Sequence, residues 1–166
     1  MYTDILRKLG LLIVLVLVQA LVLNHVRLFG CATPMLCVMM VIFFQRNYPK
    51  WAIMAWSFAL GLSLDTFSNT PGMSAASMTL VGCLQPYMLE AFIQRENDED
   101  LVPSMRSLGV LKYICYSLLL VFIYCVAFYS LEAFSFFNWR SWLMCIGGST
   151  LITVLLLWVM ETIRKR

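Results

Sequence analysis

Six apolar blocks follow one another along the 166 residues of this chain, with short polar connectors between them. Charged side chains are scarce: Asp, Glu, Lys and Arg make up 13% of the residues, while hydrophobic types make up 61%. A soluble domain carries about 25% charged residues, nearly twice as many, to cover its surface. The sequence therefore indicates an integral membrane protein. Residues 1–166 form one domain, since no polar stretch is long enough for a second.

Each block predicts one membrane-spanning α-helix, because a spanning helix needs about 20 residues and lipid excludes open β-edges. The second and third blocks are short, but Lys50 can snorkel and Tyr48 can anchor at the interface, which extends the third. The predicted fold is an all-α polytopic membrane protein with six transmembrane helices. These helices cover about residues 9–24, 28–45, 49–65, 73–93, 108–131 and 141–161, with a cytoplasmic loop over 94–107.

The distribution of basic residues gives the orientation of the six predicted helices. Six spans place both termini and the even-numbered loops on one side, while Arg27 and Arg140 lie on the other. A non-spanning hairpin in place of the second and third helices makes this separation of basic residues less clear. The positive-inside rule then places both termini in the cytoplasm. The basic residues on that side are Arg7, Lys8, Arg46, Lys50, Arg95, Arg106, Lys112, Arg164, Lys165 and Arg166.

Asp65 is an isolated charge that follows the third apolar block. The predicted topology places it at or just below the outer interface, before a turn that contains Pro71-Gly72. Three roles are open for its carboxylate: a helix cap or hydrated group, an ion pair with Arg27 or Arg140, or a contact with a partner on the outer side. The candidate polar cluster of the outer face is Asn24, His25, Arg27, Asp65 and Arg140.

Small residues are spaced along the third predicted helix in a way that lets helix backbones approach closely. Ala55, Ala59 and Ser63 recur every four residues, and Ser57 with Gly61 form what we interpret as an adjacent stripe. Contacts within the chain and a face for another membrane protein both fit this pattern. In the second case, bulky residues at Ala59 or Gly61 should break the complex. The candidate packing or partner-contact residues are Ala55, Ala59, Gly61, Ser63, Asp65, Pro71 and Gly72.

Residue types that carry catalysis or bind metals are few. His25 is the only histidine, and the sequence has no HExxH motif and no nucleophile–base pair. The six cysteines fall within or beside apolar blocks without CxxC spacing, which favours apolar packing. We therefore predict no catalytic residue, no metal and no cofactor. The basic C-terminus over 164–166 fits contact with anionic membrane lipids and gives no reason to expect nucleic acid.

The chain resembles the MreD family of bacterial rod shape-determining proteins in its length and its six predicted helices. The most recognisable part is Gly61-Leu62-Ser63-Leu64-Asp65-Thr66-Phe67-Ser68, followed by Pro71-Gly72-Met73-Ser74-Ala75. It is similar to the family's G-L-x-x-D-x-x-S segment, its turn and its small-residue helix start. An Asn-His-Val-Arg-Leu-Phe-Gly turn after the first helix and Pro34 at the start of the second add to this resemblance.

The resemblance implies a non-enzymatic, multi-pass scaffold of cell-wall elongation in the bacterial cytoplasmic (inner) membrane. Proteins of this kind bind the bitopic protein MreC and thereby connect MreB filaments to the glycosyltransferase RodA and its partner penicillin-binding transpeptidase. The implied fold is similar to the substrate-binding subunits of energy-coupling-factor transporters. The alternative function is the substrate-binding subunit of a vitamin-type transporter, which needs a convergent polar pocket near the outer face. An intramembrane enzyme is the least favoured class.

Overall fold

The regular structure of the chain is helical wherever it is described. The computed structural model describes residues 2–21, 33–46, 48–70, 72–93, 103, 108–132 and 139–164. Within them lie six α-helices, five long and one short. They are α1 (Tyr2–Leu21), α2 (Val38–Ile42), α3 (Lys50–Ser68), α4 (Met73–Phe92), α5 (Val110–Glu132) and α6 (Trp139–Arg164).

Two segments of the described residues are helical, long and apolar enough to cross a membrane. They are Val110–Glu132 in α5 and Trp142–Ile163 in α6. Helix α1 contributes a shorter apolar stretch, Lys8–Leu21. The all-α class is confirmed and association with a membrane is indicated, while the six-span topology stays a prediction.

The long helices extend beyond several of their predicted bounds. Helix α1 begins at Tyr2 and α6 continues to Arg164, because Lys, Arg and Glu are good helix formers even where the chain is no longer apolar. Hydropathy locates the apolar part of a helix, whereas its ends depend on backbone hydrogen bonds. Helix α3 continues to Ser68 and ends at Asn69, whose left-handed backbone (φ 55°) is a common helix terminator.

The predicted second membrane helix, over 28–45, is wrong in its described part. Residues 33–35 have no regular structure, 36–37 form a turn, and only Val38–Ile42 is helical. Pro34 has no backbone N–H and keeps the residue before it out of the α region, which opposes a helix at this point. The apolar residues of this segment are buried, and a buried apolar segment need not be helical.

Residues 33–46, here named the central segment, are mostly buried inside the helix assembly, and only Gln45 among them is exposed. Helix α2 contacts α1, α3, α4 and α5, and Val38, Val41 and Ile42 have no exposed surface. Around it α3 packs against α4, α4 against α5, and α5 against α6, while α1 packs against α3. Helix α5 supplies the largest side chains of the core, which are Tyr113, Tyr116 and Tyr124.

The central segment runs antiparallel to α1. Its first part is hydrogen bonded to Gln19, and the ring of Phe44 near its end lies beside the Lys8 ammonium. At 1.5 Å per residue, Lys8 and Gln19 are roughly 16 Å apart along the helix axis. The segment therefore covers a large part of the length of α1, although few of its residues are helical.

Candidate functional site at the α3–α4 hairpin and the central segment

Asp65 is a buried carboxylate that caps the helix following its own. Its Oδ1 accepts hydrogen bonds from the Ser74 amide at 2.9 Å and from Thr70 Oγ1 at 2.8 Å, and its Oδ2 accepts one from the Ala75 amide at 3.0 Å. The N-cap residue of α4 is Gly72, which has no side chain to offer. Asp65 therefore supplies the cap from α3, and its negative charge faces the positive end of the α4 dipole.

Of the three roles left open for Asp65, the structure places its carboxylate in the cap. Only 7% of the residue is exposed, and both carboxylate oxygens are engaged within the chain. Arg140 is exposed, and no ion pair joins it to Asp65 in the part of the chain that the structure describes. The other predicted members of the outer cluster, Asn24, His25 and Arg27, lie outside the described residues.

The turn between α3 and α4 uses two left-handed residues to reverse the chain. Asn69 has φ 55° and Gly72 has φ 76°, values that L side chains other than Asn and Asp rarely adopt. The Asp65 carbonyl accepts hydrogen bonds from the amides of Asn69 and Thr70 and closes the end of α3. Pro71, which also belongs to the predicted turn, lies outside the described residues.

Gly61 and Ser57 lie on the face of α3 that packs against α4. A Cβ added to Gly61 would lie 2.5 Å from Ala75 Cα and 2.7 Å from the Ser74 carbonyl oxygen, so only glycine fits. The Ser57 side chain covers Gly82 of α4 in the same way. The tract that carries the family resemblance is thus one structural unit, because its Gly, Asp, Ser and Ala residues meet at the first turn of α4.

The second set of small residues on α3 lies on the opposite face. Ala55 and Ala59 are exposed, and Ser63, which is half-buried, donates a hydrogen bond to the Ala59 carbonyl at 2.8 Å. The prediction of two adjacent stripes is wrong, because two residues along an α-helix turn through about 200°. Ser57 and Gly61 make the contacts within the chain, whereas Ala55 and Ala59 point outward.

The non-helical start of the central segment is held by side chains from α1 and α6. Gln19 Nε2 donates to the Pro34 carbonyl at 2.8 Å, and Gln19 Oε1 accepts from the Leu36 amide at 3.0 Å. From α6, Thr153 Oγ1 accepts from the Met35 amide at 3.0 Å. Backbone groups that a helix would satisfy internally are therefore satisfied by neighbouring helices, as a low-dielectric interior requires.

A hydroxyl network continues this arrangement toward α5. Ser149 Oγ accepts from the Thr33 amide at 3.1 Å and lies 2.7 Å from the Tyr129 hydroxyl, which is itself 3.2 Å from Thr33 Oγ1. No pattern in the sequence predicted this network. For the neighbouring contacts of Gln19, the available signal was a polar residue in an otherwise apolar block, followed 15 residues later by a proline, which is disfavoured inside a helix.

We expect Gln19→Leu to lower the free energy of unfolding by about 2–3 kcal/mol, since a buried amide and a buried carbonyl lose their partners. The measurement is thermal unfolding of the purified protein in detergent, followed by circular dichroism. Gln45→Leu is the matched control, because Gln45 is exposed. Equal melting temperatures for the two variants would show that the Gln19 amide does not hold the segment.

The described residues bring together no set of side chains that could bind a metal, since they contain no group of three His, Cys, Asp or Glu residues. Comparison with protein-family models, with curated proteins and with solved structures found no match. The MreD-like identity and the role in cell-wall elongation therefore stay predictions from the sequence.

Proposed function

We propose that this protein is a non-enzymatic membrane scaffold of the rod-shape machinery, similar to MreD, that binds the transmembrane helix of a bitopic MreC-like partner. Through that partner it would help to couple MreB filaments, RodA and a penicillin-binding transpeptidase to peptidoglycan synthesis. The observation that carries the proposal is that two opposite faces of α3 have different surroundings. One face forms a close hairpin with α4, and the opposite face exposes the small residues Ala55 and Ala59, which would let another helix approach closely.

The proposal includes six passages through the bacterial cytoplasmic membrane with both termini inside. Support comes from the central segment, which accompanies α1 over roughly 16 Å and is enclosed by other helices. Backbone without helical hydrogen bonds is tolerated at membrane depth only where protein covers it. The enclosure of residues 33–37 meets this condition, and the second passage thus need not be a complete helix.

The outward face of α3 fits a helix more closely than it fits a cofactor or substrate. Ala55 and Ala59 lie one helical turn apart, and exposed Phe58 and Leu62 flank them. Small residues with apolar neighbours let a second helix approach to close van der Waals distance in lipid. The polar groups of the family-like tract meanwhile serve the hairpin itself, which makes the tract a support for this face.

Ala59→Trp is expected to reduce the amount of co-purified MreC-like partner about tenfold, which a steric cost of roughly 1.4 kcal/mol produces. The test is a pull-down of the tagged protein from its own membranes, with the bound proteins identified by mass spectrometry. Leu118→Trp is the matched control, because Leu118 is exposed on α5, which α4 separates from α3. Unchanged recovery of the partner with correctly inserted Ala59→Trp protein would contradict the proposed face.

Gly61 is unsuitable as a probe of that interface, although the sequence pattern placed it among the candidates. A larger residue there meets the backbone of Ala75 in the same chain, so its first effect is on folding. Loss of partner binding in Gly61→Leu would therefore say nothing about the outward face. Ala55 and Ala59 are the positions at which folding and binding can be separated.

A second candidate function is the substrate-binding subunit of a vitamin-type transporter. The observation that favours it is the non-helical stretch 33–37, with polar side chains from three helices around it, because interrupted helices at membrane depth commonly line substrate sites. Thermal stabilisation of the purified protein by a vitamin-like ligand, with no partner recovered in the pull-down, would decide for this function and against the scaffold.

A further inference from the structure

Lys8 is held in place by two aromatic rings. Its ammonium nitrogen lies 3.4 Å from the ring centroid of Tyr48 and 5.2 Å from that of Phe44. The centroids of the two rings are 5.2 Å apart and the ring planes are inclined at 36°, so the rings are tilted relative to each other and are not stacked in parallel. A cation within about 6 Å of a ring face is attracted to it, and two rings fix the position of the ammonium group.

Among the side chains that the structure describes, no carboxylate pairs with the Lys8 ammonium. An ammonium carries three donors, and aromatic faces provide charge attraction but no oxygen acceptor. The residue as a whole is half-buried, so an anion can approach it from outside. Lys8 is therefore a fixed positive charge whose hydrogen-bonding capacity is available to an external anion.

Lys50 shows the contrasting arrangement within the same protein. Its ammonium lies 4.4 Å from the ring centroid of Tyr87 and also 3.9 Å from a carboxylate oxygen of Glu90. Lys50 thus has both an aromatic ring and an anion, whereas Lys8 has two rings and, among the described side chains, no anion. This difference makes Lys50 an internal control for the effect of one lysine on the surface charge.

We propose that Lys8, over the rings of Phe44 and Tyr48, forms a binding site for the phosphate group of an anionic phospholipid in the cytoplasmic leaflet. The proposal rests on the membrane topology given under the proposed function, which places this end of α1 at the cytoplasmic surface. It does not depend on the identity of the protein partner.

Charge and position favour a lipid phosphate over other anions. Arg7 precedes Lys8 in the sequence, and Arg46 lies in the turn that ends at Tyr48, closed by the hydrogen bond from the Tyr48 amide to the Gln45 carbonyl. On the C-terminal side of Lys8, the exposed residues of α1 are apolar and include Leu11 and Val14. Such side chains can pack against lipid acyl chains. A phosphate with acyl chains attached can satisfy the cation and cover this apolar surface together.

The test is native mass spectrometry of the protein exchanged from nanodiscs that contain equal parts of phosphatidylglycerol and phosphatidylcholine. We expect the wild-type protein to retain phosphatidylglycerol, and Lys8→Gln to reduce the retained fraction about fivefold, the factor expected for one basic residue at an anionic surface. Lys50→Gln should retain the lipid as the wild type does, and Lys8→Arg should restore binding, because a guanidinium also stacks on rings and binds phosphate.

Equal losses in Lys8→Gln and Lys50→Gln, or equal retention of the two lipids by the wild type, would overturn the proposed site. Stabilisation by inorganic phosphate without retained lipid would assign the site to free phosphate and overturn the lipid proposal. If Lys8→Gln does not fold, Tyr48→Leu is the alternative variant, because it removes the closer of the two cation–π contacts and keeps the charge of Lys8. Unchanged lipid retention in Tyr48→Leu would also reject the site. A protein that fails to insert into the membrane would instead overturn the topology, and therefore the proposed function.

Discussion

Asp65→Ala is expected to lower the free energy of unfolding by about 3 kcal/mol, because three hydrogen bonds to a charged acceptor disappear together. The Ser74 and Ala75 amides remain buried at the start of α4 without an acceptor, and Gly72 cannot replace it. For a chain of this length the loss corresponds to a fall of about 6–12 °C in melting temperature. Thermal unfolding in detergent, followed by circular dichroism, measures it.

Asp65→Asn separates the contribution of the charge from that of the hydrogen bonds. One carbonyl oxygen can still accept, but the amide group that replaces the second oxygen is a donor and faces another N–H. We expect a loss of about 1–2 kcal/mol, between the wild type and Asp65→Ala. Glu90→Gln is the control, since an exposed ion pair at 3.9 Å contributes little. The cap would be refuted if Asp65→Ala melted at the same temperature as this control.

Gly61→Ala is expected to lower the free energy of unfolding by about 3 kcal/mol, the upper part of the usual range for an overpacked interior. The added methyl group meets the Cα and amide nitrogen of Ala75, at 2.5 Å and 2.8 Å, and the Ser74 carbonyl oxygen. These are backbone atoms, which cannot rotate away as a side chain can. Helices α3 and α4 must therefore separate, which also pulls Asp65 away from the amides that it caps.

Gly147→Ala in α6 is the matched control for this substitution. Nothing lies within 4 Å of a Cβ added at Gly147, and the residue is exposed. The same chemical change should there be neutral or stabilise the helix by about 0.5–1 kcal/mol, because Ala is the better helix former. Similar melting temperatures for the Gly61 and Gly147 variants would mean that α3 and α4 do not approach as closely as the structure has them.

Hydropathy predicted the positions of the long helices, but it wrongly predicted a continuous helix through the central segment. An apolar run of residues indicates that its side chains avoid water, as the buried side chains of Met35–Ile42 do, but it does not indicate how the backbone is hydrogen bonded. In α3, α4, α5 and α6 most backbone groups away from the helix ends are bonded within their own helix, so pattern and structure agree. At Pro34 the partners come from Gln19 and Thr153, which are distant in sequence and which no local pattern could identify.

The candidate site shows the same limit. The sequence indicated that Asp65 was important and included capping among its roles, but it could not say which helix would be capped. That depends on the turn at Asn69 and Gly72, which brings α4 back against α3. The spacing of small residues identified two stripes on α3, yet the choice between them required the position of α4. The structure gives that position, because the backbone of Ser74 and Ala75 in α4 lies directly against Gly61.

The way in which the central segment is held constrains the order in which the protein can be assembled during synthesis. Its Thr33 and Met35 amides find their acceptors on Ser149 and Thr153, residues that the ribosome adds more than a hundred positions later. Until α6 has been made, these two amide donors lack the acceptors that they have in the folded chain. The hydrogen bonding of the interior is thus completed by α6 and not by α2.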